Sequence, residues 1–71
     1  MDIKEYTTVL YKTLKDQAEL KANFYNRMAQ DIFKNRRYLE CQDELILFYQ
    51  NERDLAHEEI NFFQNKIDEL K

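Results

Sequence analysis

The chain has 71 residues and contains no glycine, no proline and no tryptophan, with one cysteine and one histidine. Each absence removes a class of answer. Without Gly or Pro the sequence lacks the usual punctuation of loops, tight turns and helix ends. One cysteine forbids an internal disulfide. One Cys with one His falls short of the recognisable zinc patterns, which draw on several such ligands. The longest apolar run, LILFY at 45–49, is far below the ~20 residues of a membrane span. The opening MDIKEYTTVL brings acids at once and no apolar stretch of the kind a secretory leader carries. A single thiol fits a reducing compartment, so the expected setting is the cytoplasm. There is no glycine-rich phosphate loop, no plausible Ser/His/Asp array and no nucleophile elbow. The expectation is a non-enzymatic protein with no cofactor and no metal.

What is present is helical material. Charged residues make up 35% and hydrophobic residues 44%, a balance unlike that of a disordered chain. Good helix formers fill much of the sequence, and no segment alternates with the period of a strand. The net charge of −3 hides an asymmetry. Residues 1–37 carry eight Lys/Arg against five Asp/Glu, a net +3; residues 38–71 carry three against nine, a net −6. Unlike halves are favoured as neighbours and like halves are not.

The second half bears a regular three-four stripe: Leu39, Gln42, Ile46, Tyr49, Arg53, Ala56, Ile60, Phe63, Ile67, Leu70. The first half is looser, with Ile3, Tyr6, Leu10, Leu14, Ala18, Lys21, Tyr25, Met28 and Ile32. Folding the chain at Asn35–Arg37 pairs these as layers: Ile3 with Leu70, Tyr6 with Ile67, Leu10 with Phe63, Leu14 with Ile60. Ala18 then meets Ala56, Lys21 meets Arg53, Tyr25 meets Tyr49 and Met28 meets Ile46. The Lys21–Arg53 layer, two cations together, is the misfit. The alternative is a continuous-helix coiled coil, a structural spacer roughly 105 Å long, because one heptad also runs straight through the middle and makes Asn35 a register residue. That rod leaves Ile3, Tyr6, Leu10, Phe24, Phe48, Phe62 and other apolar side chains in water, more than a thin coil tolerates. The expected fold is therefore all-α: a single domain, 1–71, of two long antiparallel helices (about 3–34 and about 38–70) with a turn near Lys34–Tyr38. Asn35 is the expected left-handed or capping residue, since Asn tolerates that conformation best after Gly.

A hairpin still leaves apolar residues over. Leu45, Phe48, Leu55 and Phe62 form a second stripe on the second helix, and Ala22, Tyr25, Ala29 and Phe33 extend a flank of the first. A helix apolar over so wide an arc expects neighbours on two sides. These eight residues are the expected protein interface of a homodimer, two hairpins making a four-helix bundle, or of a helical protein partner.

Three smaller features complete the reading. KNRR at 34–37, with Tyr38 beside it, offers phosphate contacts and a ring for a base, which would make Lys34, Arg36, Arg37 and Tyr38 a nucleic-acid site. The simpler account is charge placed near two helix ends. Asp54 and His57 share the spacing of one helix face, but the further inward carboxylates of a di-iron bundle are missing. Cys41 is a small residue near the bend. The expected function is a protein-protein interaction module, a small regulator or adaptor.

Overall fold

A computed structural model of the chain describes residues 2–34 and 41–71. Two helices, α1 (Ile3–Lys34) and α2 (Gln42–Glu69), account for nearly all of them, and no strand occurs among the described residues. The helices lie antiparallel against each other. Tyr11 stands beside Phe63 with ring centroids 6.2 Å apart, and Tyr25 stacks on Tyr49 at 6.0 Å. The chain thus folds back, and the continuous rod is excluded. Its body measures 55 × 16 × 12 Å, with a radius of gyration of 16.2 Å, against about 11 Å for a compact domain of this length. Two helices side by side leave each other's outer faces uncovered. The expected turn, with Asn35 at its centre, and the expected start of the second helix near 38 lie outside the described residues.

The helix ends are set by local chemistry. Asp2 caps α1: its carboxylate accepts the Glu5 backbone N–H at 2.7 Å, and its carbonyl accepts the Tyr6 N–H at 3.0 Å. This satisfies donors that the first turn of a helix otherwise leaves without partners. Replacing Asp2 with Ala is expected to cost about 0.5–2 kcal/mol, read as faster amide exchange confined to the first turn of α1. Cys41 occupies the N-cap position of α2 but makes no side-chain cap. Asp43 and Glu44 in the first turn of α2, and Lys34 in the last turn of α1, complement the helix dipoles instead. At the far end the Leu70 and Lys71 amides close back on Ile67 and Asp68.

The core between the helices is narrow. Along α2 it follows the expected stripe: Ile46, Tyr49, Arg53, Ala56, Ile60, Phe63, Ile67 and Leu70 are all buried or half-buried. Along α1 it does not. The inward positions are Tyr11, Lys15, Ala18, Ala22, Tyr25, Ala29 and Ile32, while Ile3, Tyr6, Leu10 and Leu14 stay exposed. Relative to the expected layers, α1 is turned about its axis by about 50°. Ala18 and Ala56 are both buried and Tyr25 stacks on Tyr49, as in the expected layers, whereas Ile3, Tyr6, Leu10, Leu14 and Lys21 are exposed and Met28 is half-buried. Two physical reasons account for the rotation. The expected register enclosed the Lys21 ammonium beside the Arg53 guanidinium, and unpaired charge is costly to bury. The rotation also brings the small side chains of Ala22 and Ala29 inward, so the helix backbones approach closely and the larger residues of α2 interdigitate between them.

Candidate functional site

The two sides of the seam differ in chemistry. One side is polar and tied across. The Lys15 ammonium donates to Gln64 Oε1 at 2.6 Å, and Gln64 in turn donates to Asp68 at 2.9 Å. Arg53 Nη1 donates to Asn26 Oδ1 at 3.1 Å, while its Nε and Nη2 hold Asp54 at 3.2 and 3.1 Å. Arg53 thus keeps its stem in the seam and sends its head to water, as long cationic side chains do. Two open grooves lie along this side. One, of about 380 Å³, is lined by Lys12, Lys15, Asp16, Gln64 and neighbours. The other, of about 310 Å³ near the chain reversal, includes Asn26, Phe33, Lys34 and Gln50.

The opposite side is bridged by Lys21 Nζ to Glu59 Oε2 at 2.9 Å. That ion pair shows that the Lys21 flank of α1 and the Glu59 flank of α2 face the same way. Residues seven apart share a helix face. On α1 the Lys21 row is Leu14, Lys21 and Met28, with Ile3, Leu10 and Phe24 in the next row out. On α2 the Glu59 row is Leu45, Glu52, Glu59 and Lys66, with Phe48, Leu55 and Phe62 beyond it. Phe48, Leu55 and Phe62 are 53%, 52% and 53% exposed. One face therefore presents apolar side chains from both helices, with the Lys21–Glu59 ion pair near its centre and Glu52 and the Lys66–Glu69 pair also on it. Tyr6, Val9, Leu20 and Leu47 are also exposed but lie outside it.

The Lys21 ammonium is held above the ordinary lysine pKa, chiefly by its hydrogen bond to Glu59, with the charges of Glu59, Tyr25 and Glu52 adding and partial desolvation opposing. A raised lysine pKa means that the Lys21 charge is present at neutral pH and that its contribution is lost as the pH climbs through the lysine range.

Aromatic side chains join the face to the seam. Phe24 meets Tyr25, Phe48 meets Tyr49, and Phe62 meets Phe63, each pair edge to face with centroids 5.3–5.5 Å apart. In each pair the first ring stands on the exposed face and the second lies in the seam. Lys66 sits over the outer face of Phe62 at 5.4 Å.

The expected interface residues thus separate. Leu45, Phe48, Leu55 and Phe62 are brought together on the apolar face. Tyr25 lies in the seam. Ala22 and Ala29, expected on an exposed flank, are buried between the helices, and Ala29 forms part of the floor of the second groove. Phe33 stands on the polar side, beside the second groove. In their place the face takes Leu10, Leu14, Phe24 and Met28 from α1. The signal for them was the two-heptad spacing of Leu10 and Phe24 and the seven-residue spacing of Leu14, Lys21 and Met28, which reads as a face only once Ala22 and Ala29 are placed inside.

Of the basic cluster, Lys34 is exposed at the end of α1; Arg36, Arg37 and Tyr38 lie outside the described residues. His57 is exposed, and Cys41 is an exposed free thiol. Among the described residues no group of three or more His, Cys, Asp or Glu side chains is placed to hold a metal ion. No described helix is long and apolar enough to cross a membrane. No family model matches the chain, and no curated protein or solved structure is significantly similar to it.

Proposed function

We propose that this chain is a non-enzymatic protein-interaction module, a small cytoplasmic regulator or adaptor that works by docking α-helices onto its apolar face. The observation that carries this is the cluster of exposed apolar side chains drawn from both helices on one side of the seam, Leu10, Leu14 and Phe24 from α1 with Phe48, Leu55 and Phe62 from α2. Contiguous apolar surface of this kind marks interaction sites in soluble proteins. A helix pair with such a face is completed by two further helices, giving a four-helix bundle.

The test compares the full chain with a Phe48→Glu, Phe62→Glu variant as bait for helical proteins of the native host. Retention of a protein by the parent chain and its loss with the variant supports the reading. A parent chain that neither self-associates nor retains anything overturns it.

A further inference from the structure

We infer that the apolar face is covered by a second copy of this chain, stacked about a two-fold axis that runs along the helices. In that arrangement α1 of each copy lies on α2 of the other, and both chain reversals stand at the same end of the bundle. The inference rests on the interaction-module reading and names its occupant.

Area argues for a copy-sized cover. The chain exposes 5652 Å², whereas a compact monomer of its 8.8 kDa mass exposes about 4,800 Å². The surplus matches what one partner gives up in a standard interface, about 800 Å². A two-helix chain of the same size and shape supplies that cover without any other protein.

Charge chooses the arrangement. Two hairpins laid face to face obey one of two axes in the plane between them. An axis across the helices sets α1 on α1 and α2 on α2. An axis along them sets α1 on α2 in both places. The α1 helix carries six Lys/Arg against four Asp/Glu, a net +2, and α2 carries two against eight, a net −6. The crosswise axis therefore presses the two strongly acidic helices together. It does so at the worst place, because Glu52 and Glu59 flank the midpoint of α2, and both copies would meet there with four carboxylates. The lengthwise axis preserves height along the bundle, so Lys21 of each copy comes level with the Glu52–Glu59 stretch of the other.

The same axis matches the apolar residues. Tyr11 lies beside Phe63 and Tyr25 beside Tyr49 within one chain, which fixes the levels. Leu10 and Leu14 of one copy then stand over Phe62 of the other, and Phe24 over Phe48. Every neighbouring helix pair in such a bundle is antiparallel, so the helix dipoles oppose favourably.

The native thiol reads out the axis without any substitution. Cys41 is exposed at the start of α2. A spin label placed on it reports the distance between copies by pulsed electron resonance, after sedimentation equilibrium has given the mass. The lengthwise axis puts both labels at one end, across a bundle diagonal, at roughly 30 Å or less. The crosswise axis puts them at opposite ends, separated by the ~42 Å length of α2 or more. A dimer mass with the short distance supports the inference, and the long distance overturns the lengthwise axis. A monomer mass up to several hundred micromolar overturns the second copy as occupant. That last result leaves the module reading standing, since its own test is loss of a different protein with the Phe48 and Phe62 variant.

Discussion

The Phe48→Glu, Phe62→Glu variant is expected to sediment at half the mass of the parent chain. Each ring is half-exposed in the hairpin, and full burial of a Phe side chain is worth about 1.5–3 kcal/mol relative to exposure. With about half of each ring left to bury, two rings on each of two copies amount to roughly 3–6 kcal/mol, before the cost of enclosing four new carboxylates. At 1.4 kcal/mol per tenfold, dimer affinity falls by about two to four orders of magnitude. The Glu side chains also lie beside Glu52 and Glu59, so the loss deepens at low salt, where exposed charges are screened least. Sedimentation equilibrium over a wide concentration range checks the effect, and an unchanged mass sinks the assignment of this face. The parent chain is further expected to melt at a temperature that rises with concentration, because association of folded chains stabilises them by mass action. The variant should lose that dependence.

The Ala22→Leu, Ala29→Leu variant is expected to melt far below the parent at equal concentration. Both alanines are buried where the helices approach, and forcing added carbons into such a contact typically costs about 1–3 kcal/mol per site. The sites are seven residues, roughly 10 Å, apart along α1, so their effects should nearly add. A domain of this size has about 4–10 kcal/mol of stability in all, and each kcal/mol moves the midpoint by about 4–8 °C. The expected drop is therefore tens of degrees, measured by circular dichroism at 222 nm. The experiment also tests the rotation of α1. If Lys21 and Met28 were the inward positions instead, the two leucines would sit on a flank and leave the midpoint unchanged or raised.

The contrast between the two helices shows how much of this was legible in the sequence. In α2 the apolar residues form a stripe in a single phase, and each of its members from Ile46 to Leu70 lies inward. In α1 two stripes share Ala18, Tyr25 and Ile32 and differ at the residues between: Leu14, Lys21 and Met28, or Lys15, Ala22 and Ala29. Hydrophobicity favours the first set, since Leu and Met outrank Ala. Space and charge favour the second, since close backbone approach needs small residues and Lys21 needs a partner in water. Those preferences depend on the facing helix, which no periodicity within α1 records. The candidate face inherits that ambiguity: Phe48, Leu55 and Phe62 of α2 stand exposed and Leu45 half-buried, whereas Ala22 and Ala29 of α1 are buried between the helices and Leu10, Leu14 and Phe24 are the exposed α1 side chains on that side. The fold class was the safer inference, because the number of apolar residues settles hairpin against rod without any choice of register.

The edge-to-face ring pairs carry a practical consequence. With no tryptophan in the chain, near-ultraviolet emission comes from tyrosine, and Tyr25 and Tyr49 stack in the seam while touching Phe24 and Phe48 on the exposed face. Seating another helix on those outer rings excludes water from around two of the chain's own fluorophores. The protein thereby contains an intrinsic optical gauge of whether its face is occupied, and dilution can be followed by the intensity and lifetime of tyrosine light with no dye attached.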